Sequence, residues 1–160
     1  MAAILALALA AMAAPSETFR GFELGGPCPS GPEWALVTET PDTQSWTRAD
    51  EKLLIGDVPL TSIEWMCWRG ANPPALMGVS VSFSPISGRT MRDTLTVQWG
   101  KPYQSNQYID RYLWGTGGVV GFLDYSSSAK AGTVVILHMA TQKRVEEAKK
   151  ARAAAAGEDL

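Results

Sequence analysis

Residues 88–102, GRTMRDTLTVQWGKP, contain the sharpest element boundary in the chain and decide how its fold is interpreted. The large apolar residues of this stretch recur every four positions, at Met91, Leu95 and Trp99. This spacing predicts an amphipathic helix that ends at Trp99 and turns one apolar face toward a core. Ser87 stands immediately before the stretch and is the expected N-cap residue.

The tetrapeptide WGKP at 99–102 is interpreted as the stop of this helix. Gly100 suits the left-handed conformation at a helix C-terminus, and Pro102 cannot continue a helix because it lacks a backbone N–H. We therefore expect Trp99 to anchor the helix on a sheet and Gly100 to have a positive φ. The role of the motif is then mainly structural. It contributes to function only by setting the direction of the loop formed by residues 101–107.

Stretches on both sides of the helix alternate apolar and polar residues and predict β-strands. The strand signals lie at 18–24, at several places within 43–85, and at 108–114, 119–125 and 133–139. A short helix is predicted near 32–39, where Pro32 fits a first turn and Pro41 ends the element. The predicted fold class is α+β, an antiparallel β-sheet with helices packed on one face.

A length of 160 residues fits one domain that can bury a real core. We assign residues 14–140 to a single α+β domain and residues 141–160 to a charged, alanine-rich C-terminal helix or tail. The formal net charge of -2, from 14 Lys+Arg and 16 Asp+Glu, comes without a long basic run. Because binding to nucleic acid depends on a basic surface, nucleic acid is not an expected partner.

The N-terminal stretch MAAILALALAAMAAP is almost wholly apolar and resembles a signal peptide. It is shorter than the helix of about 20 residues that spans a bilayer. Its small residues favour cleavage before Ala14, so residues 1–13 are the predicted signal peptide. A basic n-region is missing, and a buried N-terminal helix is the alternative. The protein is expected to be periplasmic or secreted, with no membrane span after removal of the signal.

The chain has two cysteines, Cys28 and Cys67. In an oxidising compartment the two are expected to pair, and the loop-closure model assigns the bridge roughly 3 to 4 kcal/mol. Two buried free thiols are the alternative. Two cysteines and a single histidine do not make a closed zinc shell, so neither a metal nor another cofactor is predicted.

Residues that could carry catalysis are few. His138, the single histidine, lies in a predicted strand, and no G-x-S-x-G elbow occurs in the chain. Asp110 and Asp124 could form a carboxylate pair, but Asp110 adjoins Arg111, which favours solvated ion pairs. GTGG at 115–118 lacks the lysine and the strand-to-helix context of a phosphate loop, and is interpreted as a hairpin turn. No catalytic residue is assigned.

Six tryptophans are the unusual feature of the composition, and about four of them are expected in the core. Within the stretch SIEWMCW at 62–68, alternation places Trp65 and Trp68 on opposite faces of one strand. This strand is apolar on most of both faces, which predicts a place in the interior of the sheet. Tryptophan and tyrosine are enriched where proteins bind one another, so the remaining aromatic residues are candidates for recognition.

The order of a helix, WGKP and three strands over residues 88–139 resembles the half-unit of the SmpA/OmlA (BamE-like) outer-membrane assembly lipoproteins. The beta-lactamase-inhibitor proteins resemble the same unit in tandem. In those families a Gly-x-Pro turn, here Gly100 to Pro102, ends the helix, and the next strand carries an aromatic residue, here Tyr112 or Trp114. The lipobox cysteine of the lipoproteins is missing, and the inhibitor proteins usually carry more cysteines than this chain.

The resemblance implies that the first half of the chain could be a degenerate copy, giving two helix-plus-sheet halves. Residues 19–25, FRGFELG, are also similar to the start of small exported bacterial proteins for which no activity is implied.

The expected function is non-enzymatic: an exported binding, assembly or inhibitor-type module that recognises another envelope or secreted protein. The candidate binding residues are Trp68, Trp114, Tyr103, Tyr112 and Lys101. The alternative is a small hydrolase or ligand-binding enzyme that uses His138 and a carboxylate. An exposed apolar face without convergent polar groups would favour binding, whereas a deep pocket with a perturbed titrating group would favour the enzyme.

Overall fold

The computed structural model describes residues 15–115, 117–126 and 130–158, and the predicted signal peptide lies outside these residues. The described residues form ten β-strands and two α-helices. The strands are β1 (Thr18–Phe19), β2 (Phe22–Glu23), β3 (Trp34–Glu39), β4 (Thr43–Arg48), β5 (Leu54–Ile55), β6 (Val58–Trp68), β7 (Ala75–Phe83), β8 (Arg111–Trp114), β9 (Val119–Asp124) and β10 (Gly132–His138). The helices are α1 (Gly88–Trp99), preceded by a 3₁₀ turn at Pro85–Ser87, and α2 (Met139–Glu158).

Seven strands lie side by side in the order β3-β4-β6-β7-β10-β9-β8, and β5 pairs with β6 as an eighth. Every pairing among the described strands is antiparallel. The predicted α+β class with an antiparallel sheet is therefore confirmed. The strand that contains Trp65 and Trp68 lies between β4 and β7, so its predicted interior position is also confirmed.

One face of the sheet carries the main core. Cross-strand pairing aligns Trp65 with Val79 and Val79 with Ile136, and all three side chains are buried. α1 covers part of this face with its predicted apolar stripe of Met91, Leu95 and Trp99. Burial of these side chains is the main stabilising contribution of the helix, because isolated helices of this length are marginal in water.

The helix ends where WGKP predicts. Its last residue is Trp99, and Gly100 follows with a φ of 76°, in the region that favours glycine. Ser87 occupies the N-cap position, but its side chain makes no capping hydrogen bond. Instead, the 3₁₀ turn at Pro85–Ser87 leads directly into the first residue of the helix.

The N-terminal segment covers the rest of the core face as a tight hairpin rather than as the single predicted strand. Arg20 and Gly21 both have positive φ values, 50° and 85°, which is typical of a two-residue hairpin turn. The hairpin places Phe19 and Phe22 edge-on against Trp65, with ring centroids 5.4 and 5.0 Å apart. This aromatic packing holds a hairpin that has too few strand residues to be stable alone.

The segment 32–39 is a strand and not the predicted short helix. Its residues 34–39 form β3, the edge strand, which pairs with β4 through a tight turn at 40–43. Local helix-start signals at Ser30 and Pro32 were outweighed by strand pairing, to which the β-branched Val37 and Thr38 are well suited. Since the described residues 15–83 contain no helix, the suggestion of two helix-plus-sheet halves is not confirmed.

α2 docks separately from the main core cluster. Its buried Val145 lies outside the cluster that contains the stripe of α1. The Arg144 guanidinium lies over the ring of Trp68, with Cζ 5.9 Å from the ring centroid, and Trp68 alternates with Trp65 along β6. The prediction that the helices pack on one face is therefore not confirmed, since α1 packs with Trp65 and α2 with Trp68.

The disulfide prediction is confirmed. Cys28, in the proline-rich loop after β2, is bonded to Cys67 in β6, and the two Cα atoms are 5.9 Å apart. This separation lies within the usual range for a disulfide. The loop is also held by a backbone hydrogen bond of 2.7 Å from the N–H of Cys28 to the carbonyl of Pro74.

An ion pair joins the end of α2 to the turn before β4. The Arg152 guanidinium donates two hydrogen bonds to the Asp42 carboxylate, one of them 2.8 Å long. These bonds lower the pKa of Asp42 below its ordinary value of 3.8, and the charges of Arg152 and Lys149 act in the same direction against the opposing effect of burial. The folded state thus favours the ionised carboxylate.

We expect the Asp42 carboxylate to make folding stability depend on pH in acid. Because its pKa is lower in the folded chain, its contribution is fully present above 3.8 and is lost as pH falls through the folded-state pKa. Asp42→Asn should therefore flatten the acid limb of a plot of unfolding free energy against pH. Denaturation of both proteins across this range is the measurement, and identical acid limbs would contradict the assignment.

No helix among the described residues combines the length and the apolar character that a membrane crossing requires.

Candidate functional site

The structure brings four of the predicted binding residues to one end of the sheet, around β8. The indole Nε1 of Trp114 donates a 2.8 Å hydrogen bond to the carbonyl of Gly100, directly before Lys101. Tyr103 forms an isolated β-bridge with Leu113 of β8. Tyr112 and Trp114 belong to β8 itself, whereas Trp68 lies apart from this end, under α2.

Trp114 and Tyr112 are core residues rather than surface residues. Trp114 exposes 1% of its surface and contacts Trp99 edge-on, with ring centroids 5.6 Å apart. Tyr112 exposes 8% and stacks on Tyr125 at 5.9 Å. The two rings therefore anchor the loop after α1 and leave little surface for a partner to contact. Four tryptophans are buried, at positions 34, 65, 99 and 114, as expected from the composition.

The loop after α1 closes the backbone edge of β8. The N–H of Tyr103 donates to the carbonyl of Leu113 at 2.8 Å, and the N–H of Leu113 donates back to the carbonyl of Tyr103 at 2.9 Å. The N–H of Arg111 donates to the carbonyl of Ile109 at 2.8 Å. Because the chain itself pairs these edge groups, addition of a partner strand here is disfavoured. Recognition at this end must depend on side chains.

An apolar surface lies beside this closed edge. Leu113 and Phe122 are direct cross-strand neighbours in β8 and β9, and both line a shallow depression of about 210 Å³ together with Tyr103. Phe122 exposes 42% of its surface and Tyr103 exposes 57%. We call Tyr103, Leu113 and Phe122 the aromatic edge. Tyr108 and Ile109, on the adjoining loop, are also exposed.

The aromatic edge is exposed because α2 does not reach it. Seven strands at the usual spacing span about 30 Å, whereas one helix covers a band about 10 Å wide. Residues alternate between the two faces of β9, so Phe122 lies on the face opposite the core residue Leu123. This opposite face is the one on which α2 packs, against β7 and β10. The sheet face that carries α2 therefore extends beyond the helix on both sides.

The two flanks of α2 differ in chemistry. On the β3–β4 flank, Thr38 and Ser45 are joined by a 2.7 Å hydrogen bond between hydroxyls, and Ser45 donates to the carboxylate of Glu64 at 3.3 Å. These three polar groups suit contact with water, and Met66 and Met77 line the same depression. The opposite flank presents Phe122 and Leu113 instead, and an apolar cluster at the surface marks an interaction site more often than a solvated face.

The charged residues beside the aromatic edge are paired. The Arg111 Nε donates to the Asp124 carboxylate at 2.6 Å across β8 and β9. Partial burial alone would raise the pKa of Asp124, but the hydrogen bond from the backbone N–H of Ser126 and the contact with Arg111 outweigh it and lower the pKa. Asp124 is therefore ionised at neutral pH, and the pair is electrically neutral.

The residues proposed for catalysis do not converge on one another. Asp110 accepts a 3.3 Å hydrogen bond from the hydroxyl of Tyr112, and Asp124 pairs with Arg111. The Nδ1 of His138 lies 2.8 Å from the hydroxyl of Thr141, at the start of α2. Within the described ranges, no cluster of three or more His, Cys, Asp or Glu side chains could hold a metal ion.

Phe122 and Leu113 were not predicted from the sequence, although the sequence of β9 contains one signal. β9 reads VVGFLD, so apolar residues occupy both of its faces. Such a strand needs a second apolar layer, and on that second face Val120 is buried whereas Phe122 is 42% exposed. The signal in the sequence was therefore a strand with apolar residues on both faces, one of which, Phe122, has no apolar layer over it among the described residues.

Comparisons of the chain with protein families, with curated proteins and with solved structures find no match.

Proposed function

We propose that this chain is a non-enzymatic binding module whose aromatic edge packs against another protein. The observation that carries the proposal is the contrast between the two flanks of α2. The β3–β4 flank combines hydroxyl, amide and carboxylate groups with two methionines, whereas the other flank is built from Leu113, Phe122 and Tyr103. Exposed tyrosine and phenylalanine rings supply large contact areas at a small cost in conformational entropy. The partner is expected to present a complementary apolar surface.

Three features support docking through side chains on a rigid platform. The edge backbone of β8 is paired with the loop after α1. The buried Trp114 fixes that loop from below through its hydrogen bond to Gly100. The neighbouring Arg111–Asp124 pair and Ser105 provide a polar rim. A rigid apolar centre with a polar rim is the usual anatomy of a specific protein interface.

We further propose that the protein acts in the periplasm or outside the cell, after removal of residues 1–13. The apolar N-terminus and the Cys28–Cys67 disulfide support this location, because disulfides persist mainly in oxidising compartments. The resemblance of residues 88–139 to outer-membrane assembly lipoproteins and to beta-lactamase-inhibitor proteins supports an envelope or secreted protein as the partner.

Site-specific photo-crosslinking tests the aromatic edge. With p-benzoylphenylalanine at position 122, in cells of the native host, we expect a discrete covalent adduct to another protein. The matched control is position 97, where Val97 is also apolar and exposes 87% of its surface, but on α1. Tyr103→Ser should weaken the adduct formed from position 122. Equal labelling from both positions, or none from position 122, would contradict the proposal.

Phe122→Ser provides the companion measurement. Because the side chain is well exposed, the change should alter the free energy of unfolding by less than about 1 kcal/mol. A folded Phe122→Ser protein that no longer co-purifies with the partner identified by crosslinking separates a binding role from a structural one.

A further inference from the structure

A cavity of about 290 Å³ lies on the core face of the sheet, between the β1–β2 hairpin and α1. Leu95 and Trp99 of α1 line it, and Val134 and Ile136 of β10 form its floor. These four side chains are buried, with exposed fractions from 0% to 9%. The cavity therefore penetrates to the apolar core, and it lies on the opposite side of the sheet from the aromatic edge.

The cavity arises because two separate elements cover this face. α1 follows the sheet on one side, whereas the hairpin is held at the other by Phe19 and Phe22 on Trp65. Protein interiors are otherwise packed as densely as organic crystals, and voids larger than a water molecule are few. A space of this size over an apolar floor falls near the lower limit of small-molecule pockets.

The mouth of the cavity is polar. Arg20 of the hairpin and Gln98 of α1 line it, together with the hydroxyl residues Ser16 and Thr18. The Arg20 guanidinium donates to the Glu51 carboxylate and to the carbonyls of Lys52 and Leu54. A guanidinium has five N–H donors, so the bonds to the described residues leave Arg20 with donor capacity for a ligand.

We propose that this cavity binds a small amphipathic carboxylic acid. The apolar body of the ligand lies on Leu95, Trp99, Val134 and Ile136, and its carboxylate accepts hydrogen bonds at the mouth from Arg20 and Gln98. Burial of the aliphatic chain supplies most of the affinity, and the donors at the mouth set the orientation. This site is independent of the proposed protein-binding surface.

Octanoate is the probe, and the tryptophan indole N–H signals in a two-dimensional ¹⁵N NMR spectrum report binding. Octanoate below its micellar concentration should shift the indole signal of Trp99 saturably and leave that of Trp68, on the other face, unchanged. Octylammonium has the same chain and a cationic end, and it should bind at least about tenfold more weakly, because the donors at the mouth reject it. Absence of a saturable shift with octanoate, or equal binding of octylammonium, would overturn the proposal.

Two variants on adjacent positions of α1 locate the site. Gln98→Trp places a large ring at the mouth of the cavity and should weaken octanoate binding about tenfold or more. Val97→Trp is the matched control, since Val97 is exposed on the same helix and does not line the cavity. Circular dichroism establishes that both variants are folded. Equal affinity of the two variants for octanoate would refute the location.

Discussion

Trp99→Ala is expected to lower the free energy of unfolding by about 3 to 5 kcal/mol, as large-to-small changes at buried aromatic residues do. The ring is 9% exposed and lies edge-on to Trp114. It also rests directly on β9, because a Cβ added at Gly121 would come within 2.7 Å of it. The ring also lines the cavity between the β1–β2 hairpin and α1, so its removal would enlarge that space.

Two neighbours of Trp99 serve as controls in the same chemical denaturation experiment. Gly100→Ala should cost about 1 kcal/mol or more, because Gly100 has a φ of 76° that other residues adopt at a cost. Lys101→Ala should leave stability almost unchanged, because this side chain is exposed. If Trp99→Ala were as stable as Lys101→Ala, the ring would not be an anchor, and WGKP would itself become a candidate binding site.

Removal of the disulfide is the second change with a large expected effect. The two cysteines are 39 positions apart in the chain, and the loop-closure model gives a loss of about 3 to 4 kcal/mol for such a bridge. The double variant Cys28→Ala and Cys67→Ala is preferable to serine, because Cys67 is fully buried and a hydroxyl there would add a separate polar penalty. Urea denaturation under oxidising conditions measures the difference.

The reduced wild-type protein controls for the small cavity that alanine leaves at position 67. It should lose nearly as much stability as the double variant, because both lack the cross-link. A loss below about 1 kcal/mol in both would show that the backbone hydrogen bonds of the loop, such as Cys28 to Pro74, already restrict it. A loss confined to the alanine variant would assign the effect to packing alone.

The elements predicted correctly are those whose signals are local. The stripe ending at Trp99, followed by Gly100, identifies α1 and its stop without reference to the rest of the chain. The disulfide followed from the cysteine count. The predicted helix at 32–39 failed because an edge strand is specified by its neighbour β4, and nothing within the segment reveals that neighbour.

The candidate site was predicted only in part, for a similar reason. Tyr103 and Lys101 are exposed, as a binding role requires, but Trp114 and Tyr112 are buried because the loop after α1 and the ring of Tyr125 cover them. Exposure of Phe122 depends on where α2 lies across the sheet. The alternation of residues along a strand indicates which of them share a face. Which part of that face is exposed to solvent depends on where α2 packs, and the sequence of the strand does not contain that information.

The position of β10 determines how this chain can fold while it is being synthesised. β10 is the last described strand, yet it pairs with both β7 and β9 and so joins the two parts of the sheet. Among the described strands, no pairing joins the β3–β7 part to the β8–β9 hairpin until residue 138 has emerged, and until then the inner edges of both are open. Both inner edges therefore stay open to wrong pairings until β10 is inserted between them and joins the two parts of the sheet.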